Sequence, residues 1–507
     1  MQLFPLLTEK KGDSFMEKLK KIVHPHLLFF VAVLFSILTF TLLQPFGDPP
    51  DEVNRFKVAQ FICNYGKLPT GEEFEVAIGG YGGSYAFQPI LPYMIQGMLM
   101  RLLSPFTTDN LTLLLCARLV NVLFGVIMAV YVRKLASLLF SDEITGWLFC
   151  LLIMFLPQNL FLHSYVNTDS MASMAGAIIL YASVSGWKSH WRFSDCITLC
   201  IGIICCALSY YNAYGLIVTA ILIFVFSHLE SQDGQKLSFN WKPLLKRGLF
   251  ISAIVLLGIG WWFLRNYVIH NGDFLGLKAR TENAIRTALP QYNPATRVTI
   301  AGSGVSLSDM LLHTDFFYFL WNSFVARFGP MTIPTLPFLY IWYYRIYWFG
   351  WIFCLIPFRY IRKPSSHPKA PSYSPDLKQH SPRYETISRS LFHIAMLIPV
   401  LITMGLCIYY SYTSDYQPQG RYIMPMLIPF MYFITLGFHN LAAFLEKIFG
   451  LWENNTLTDF FRKWCRPLMM GGTILFLAGG LLLTLFCVVI PHYTTQPNLW
   501  NSPWISL

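Results

Sequence analysis

The sequence predicts an all-α fold, a polytopic membrane protein of about eleven transmembrane helices with external amphipathic juxtamembrane helices. Three observations predict it. Charged residues make up 12% of the 507 residues, about half the usual share of a soluble domain. Mean hydropathy is +0.48. The apolar runs are continuous and about 20 residues long, the length that crosses a bilayer as a helix. An outer-membrane barrel would alternate apolar and polar residues instead. A soluble enzyme, a disordered chain and a single-pass anchor are excluded by the same numbers.

Each element follows in chain order. Residues 1–26 form a basic stretch carrying Lys10, Lys11, Lys18, Lys20 and Lys21. Residues 27–43 form the first span, read as an uncleaved anchor because no small-residue cleavage site follows. The further expected spans are 111–132, 145–162, 171–187, 197–208, 213–226, 249–268, 334–357, 391–409, 422–445 and 468–490. The fifth and sixth of the eleven make a hairpin about Ser209-Tyr210-Tyr211-Asn212. The segment 89–103 holds two prolines and is short, and is read as a helix at the membrane surface.

Charge orients the bundle. With the N-terminus inside, 24 Lys and Arg fall on inner loops and 11 on outer ones, as the positive-inside rule requires. Making 89–103 a span would invert every later loop. The net charge of +11 therefore reads as topology, and no nucleic acid partner is expected. The eleven cysteines lie mostly in apolar runs and read as small hydrophobes. The membrane domain runs over 27–490. Its external loops are 47–110 and 266–333, its cytoplasmic loop 359–389 is flexible by composition, and 491–507 is a short external tail.

The candidate chemistry lies on the outer face. Gly47-Asp48-Pro49-Pro50-Asp51-Glu52 places three carboxylates just beyond the first span. Asp51 suits a helix N-cap. Val53, Phe56, Ala59, Ile62 and Cys63 then follow at helical spacing, as in a helix lying on the bilayer. Asp51 and Glu52 read either as cap and first-turn acid or as site residues. Asn167-Thr168-Asp169 offers a second external acid with the same two readings. Arg265, Arg327 and Arg421 sit on the outer face, where cations are disfavoured. They read either as phosphate ligands or as interfacial side chains reaching to headgroups. Gly79-Gly80-Tyr81-Gly82-Gly83 reads as a flexible turn, and the histidines show no metal-ligand spacing.

The order of these segments resembles the GT-C superfamily of integral-membrane glycosyltransferases. It is similar in pattern to the protein mannosyltransferases, the lipid A aminoarabinose transferase and related bacterial membrane proteins. The resemblance rests on the external Asp51-Glu52, then Asn64-Tyr65-Gly66-Lys67-Leu68-Pro69, Gln88-Pro89-Ile90-Leu91-Pro92-Tyr93, Ala117-Arg118-Leu119-Val120-Asn121 and Asn167-Thr168-Asp169. Downstream it takes in Arg265-Asn266, Asn271-Gly272-Asp273-Phe274-Leu275-Gly276 and Gln419-Gly420-Arg421-Tyr422.

The resemblance implies an inverting transfer of a sugar from a polyprenyl-phosphate donor to a glycan, lipid or protein acceptor. It would take place on the external face of a bacterial inner membrane. Asp51 would be the general base, with Glu52 and Asp169 beside it. Arg265, Arg421 and Arg327 would hold the donor phosphate, and Asn167, Gln88 and Tyr93 would contact sugar or acceptor. Gln88 stands where such enzymes carry a basic residue, which shifts the phosphate onto the arginines. A divalent cation is a possible cofactor. The competing expectations are a transporter or flippase, whose acids would relay ions, and a polysaccharide polymerase of the cell envelope.

Overall fold

The structure is a computed structural model and describes residues 24–232, 236–355, 382–450 and 456–495. Every expected span overlaps helix, one of them two separate helices. Among the described residues, seven helical stretches are long and apolar enough to cross a membrane: Pro25–Leu43, Asn110–Leu139, Asp169–Ser189, Trp241–Ile269, Thr386–Thr413, Gly420–Phe449 and Thr458–Thr495. Shorter apolar helices accompany them at Glu143–Met154, Phe193–Ala207, Tyr211–Phe226 and Phe316–Ala326. The fold is thus all-α and polytopic, while eleven crossings remain an expectation.

Asp169–Ser189 is the central helix. Its apolar window is 89% buried, against 17% for Trp241–Ile269, which lies at the rim. The central helix packs on Asn110–Leu139 and on Phe193–Ala207, and Pro337–Cys354 packs on Leu427–Phe449. The latter pair touches backbone to backbone: a Cβ placed on Gly437 would stand 1.9 Å from the Gly350 carbonyl oxygen. Small residues permit such an approach between membrane helices.

Several boundaries differ from expectation for visible reasons. The expected span 145–162 is broken. Pro157 cannot continue a ladder, so Glu143–Met154 ends and Pro157–Leu162 starts afresh. The span expected from 334 begins at Pro337, because Ile333–Pro334 pairs as a short strand with Arg327–Phe328. A second hairpin, Leu229–Gln232 with Lys236–Phe239, was not expected. The flexible loop expected over 359–389 falls mostly outside the described residues, and its last part already belongs to the helix Pro382–Thr413. The tail expected from 491 begins inside the helix Ile490–Thr495, with 496–507 outside the described residues. Residues 1–23 also lie outside them.

The helix expected after Asp51 runs over Glu52–Tyr65, but its apolar face does not lie on lipid. Phe56, Ala59, Ile62 and Cys63 are buried in a second apolar cluster shared with Ile90, Tyr93 and Met100. That cluster joins the helix to Leu91–Leu103. The two short helices cover one another, which removes the need for a bilayer partner. The glycine stretch 79–83 is also tied down. Leu289 donates its N–H to the Gly80 carbonyl at 2.8 Å, and Gly83 donates to Thr287 Oγ1 at 3.3 Å.

Candidate active site

The site begins where the first span ends. Pro49 and Pro50 fix an extended approach, and the chain then turns at Asp51 with φ of 62°. This left-handed conformation is uncommon for residues other than glycine, although Asp is among those that adopt it more readily. Asp51 occupies the N-cap position of Glu52–Tyr65, but its side chain caps nothing. That corrects the capping reading: the carboxylate is turned away from the helix and toward cations.

Those cations come from two distant parts of the chain. Arg421 Nη1 stands 2.7 Å from Asp51 Oδ2. Arg55, one turn along the same helix, places Nη2 3.9 Å from Asp51 Oδ2 and donates from Nη1 to Asp169 Oδ2 at 2.7 Å. Asp169 is the first residue of the central helix, where the helix dipole favours an anion. Four charged groups thus form a chain, Arg421–Asp51–Arg55–Asp169. The side chains of Arg55, Arg421 and Asp169 are 5%, 5% and 3% exposed, whereas that of Asp51 is 32% exposed. Asp51 is the open member.

Tyrosines enclose the cluster. The Arg55 guanidinium lies 5.1 Å from the centre of the Tyr85 ring. That of Arg421 lies 4.9 Å from the Tyr422 ring and donates to its hydroxyl at 3.0 Å. Burial pushes the Asp51 carboxyl up. The attraction of Arg421 and then of Arg55 pulls it further down, so it is held below the usual carboxylate value and is ionised at neutral pH.

Glu52 is placed differently. It is fully buried, and Arg118 holds it at both oxygens, Nε to Oε1 at 2.8 Å and Nη2 to Oε2 at 2.6 Å. The backbone N–H groups of Val166 and Gly47 donate to the same oxygens at 3.1 and 3.3 Å. Arg118 also donates to the carbonyls of Thr41, Gln44 and Pro45. Glu52 is therefore a fastener that joins the end of the first span to the Asn110–Leu139 helix and to the turn before Asp169.

The other expected site residues divide. Asn167 is buried and donates to the Leu162 and Tyr165 carbonyls, each at 2.8 Å, while its Oδ1 accepts from the Ser170 N–H at 2.8 Å. It shapes the turn that delivers Asp169. Tyr93 is buried beside Arg55 and Asp169. Gln88 is half-buried at the end of the Tyr85–Phe87 turn. Arg265 donates to the Leu68 and Pro69 carbonyls at 3.3 and 2.8 Å and lies over Trp262. Arg327 is in the short strand, with its backbone N–H on Gln158 Oε1 at 2.6 Å. Of the three arginines, Arg421 alone pairs with Asp51. Its burial and ion pair replace the reading of a side chain reaching to headgroups.

Two participants were missed in the sequence. Arg55 has a visible signal, its i, i+4 spacing from Asp51. Arg118 has another, a charge inside an apolar run, where ionisable residues demand a partner. No metal site is shown among the described residues. Both carboxylates are already held by guanidinium groups, and no group of three or more His, Cys, Asp or Glu is placed to hold a metal among the described residues.

No family model matches the sequence, and no curated protein matches it. Among solved structures, the fold is similar to the Archaeoglobus fulgidus oligosaccharyltransferase tethered with an acceptor peptide. That match has 15% identity and a TM-score of 0.49, over 90% of this chain and 55% of the other. It is also similar to AglB of the same archaeon in complex with an inhibitory peptide and a dolichol-phosphate, at 14% identity and a TM-score of 0.46, over 92% and 56%. A third similar structure is ArnT from Cupriavidus metallidurans in the apo state, at 12% identity and a TM-score of 0.44, over 92% and 77%. The chain spans about half the length of the oligosaccharyltransferases it matches.

Proposed function

We propose that the protein is a glycosyltransferase that moves a sugar from a polyprenyl-phosphate donor to an acceptor hydroxyl or amide at the external face of the membrane. The observation that carries this reading is the pairing of a partly open carboxylate, Asp51, with the buried Arg421. The two groups have the chemistry that such a transfer needs at its two ends.

Asp51 takes the proton of the acceptor as the acceptor atom attacks the anomeric carbon. The new glycosidic bond forms as the bond from that carbon to the phosphate oxygen breaks. The electron pair leaves with the polyprenyl phosphate, whose growing charge Arg421 stabilises. A single displacement inverts the anomeric centre. Arg55 and Asp169 are positioning residues that set the Asp51 carboxylate, and Glu52 holds the loop that carries it. Arg265 and Arg327 serve the donor only at a distance from Asp51, along the lipid or the sugar.

The test is Asp51→Asn in purified protein with a synthetic polyprenyl-phosphate sugar. General-base catalysis is worth about 100-fold to 10,000-fold, and transfer is expected to fall by such a factor while donor binding persists. Turnover within a few-fold of the unaltered protein would overturn the assignment.

A further inference from the structure

The ion pair that recommends Asp51 also restrains it. A carboxylate held at 2.7 Å by a buried guanidinium is a poor proton acceptor, because the cation stabilises its charged form. We propose that Arg421 is a donor-operated clamp. In the free protein it holds Asp51, and the phosphate of the arriving donor draws the guanidinium to itself, so that Asp51 becomes an effective base only once donor is bound. The inference rests on reading Asp51 as the base.

Three features support the exchange. Arg421 reaches Asp51 through one nitrogen, Nη1, in an ion-pair contact that lacks hydrogen-bond geometry, and its buried Nε has no hydrogen-bond partner, so the guanidinium is not saturated. A phosphate offers the paired oxygens that this planar fork matches at two points. The opening to the cluster lies at Asp51, its one substantially exposed side chain. A ligand entering there meets the Asp51–Arg421 pair first. The backbone behind Arg421 is fixed. The Gly420 N–H donates to Ser323 Oγ at 2.7 Å, and a Cβ on Gly420 would meet the Phe324 N–H nitrogen at 2.1 Å. The clamp therefore works by a swing of the side chain.

Proton linkage reads this exchange. Arg55, Arg421 and the tyrosines Tyr81, Tyr85, Tyr93, Tyr165 and Tyr422 face Asp51, and Asp169 stands behind Arg55. The tyrosines remain neutral and the arginines charged across the acid range. Asp51 is the acid that meets Arg421 directly, so it is the group whose proton affinity the swing of Arg421 changes. Losing a cation and gaining a neighbouring phosphate act in the same direction, and each such charge is worth about one pH unit or more.

Two measurements test the clamp. In pH–rate profiles, the acid limb of kcat, which reports the donor complex, is expected about one pH unit or more above that of kcat/KM for donor, which reports the free protein. In calorimetry near about pH 5, in buffers of different ionisation heat, farnesyl monophosphate is expected to bind with more proton uptake to the unaltered protein than to Asp51→Asn. Coincident limbs, or equal proton uptake by the two proteins, would overturn the clamp while leaving Asp51 as the base. Normal turnover by Asp51→Asn would instead remove the reading beneath it.

Discussion

Glu52 and Asp51 are neighbours in sequence, yet Glu52 is sealed against Arg118 and Asp51 is partly open beside Arg421, and a single substitution tests the different roles proposed for them. Glu52→Gln keeps the shape but removes the charge opposite Arg118. In the native protein Glu52 accepts four hydrogen bonds, two from Arg118 and one each from the N–H groups of Val166 and Gly47. A glutamine amide presents donors to some of these donors. Breaking a fully buried ion pair by neutralising one partner costs about 3–5 kcal/mol, a large part of the about 5–15 kcal/mol that holds a typical domain folded.

Buried thiols supply the assay. Cys63 and Cys116 are buried in the apolar cluster beside this pair, so a thiol-reactive fluorophore followed through a thermal ramp in detergent reports its opening. Glu52→Gln is expected to react at a clearly lower temperature, and transfer per folded molecule at low temperature is expected to fall far less than for Asp51→Asn. Glu52→Leu combined with Arg118→Leu is expected to recover part of the loss, because no buried charge is left alone. The reasoning is refuted if Glu52→Gln melts with the unaltered protein yet loses transfer by 100-fold or more, since Glu52 would then act in the chemistry.

Three further outcomes follow from the same geometry. Asp169→Asn weakens the charge-assisted bond to Arg55 at 2.7 Å, worth about 2 kcal/mol, so kcat/KM is expected to fall about 30-fold; an unchanged rate would detach Asp169 from the site. The Asp51 carboxyl is held below its ordinary 3.8, so its pairing stabilises the fold fully above that range and is lost as pH falls through the lowered native value. The difference in melting temperature between the unaltered protein and Asp51→Asn is therefore expected to shrink on going from about pH 6 to about pH 3, and a constant difference would contradict the pairing. Gly420→Ala forces a methyl against the Phe324 backbone and is expected to weaken binding of a polyprenyl monophosphate at least tenfold by displacing Arg421, as measured by calorimetry; unchanged affinity would free Arg421 from the donor.

Much of this architecture was legible because hydropathy and charge act over one helix length at a time. Each expected span falls on helix, 145–162 on two of them, and the candidate acid Asp51 was picked out by its place just beyond the first. What was not legible depends on contacts between segments far apart in the chain. The partner of Asp51 lies 370 positions downstream at Arg421, and that of Glu52 lies at Arg118, 66 positions on. Nothing local distinguishes the open acid from the sealed one. The face of Glu52–Tyr65 was misjudged for a related reason: amphipathicity declares an apolar side without declaring whether lipid or Leu91–Leu103 covers it.

The Gly350–Gly437 contact has a mechanical consequence for the site. Two helices that meet through bare backbone have no side chain between them to act as a cushion, so neither turns about its axis without lifting off the other. Gly437 lies 16 residues beyond Arg421 on one helical stretch, Gly420–Phe449. The helix Leu427–Phe449 is therefore seated deep in the bundle, and Arg421 precedes it in the 3-10 turn Gly420–Met426. The Gly420 backbone is in turn pinned to Ser323 and Phe324, so the chain that carries Arg421 is anchored on both sides and the turning is left to its side chain.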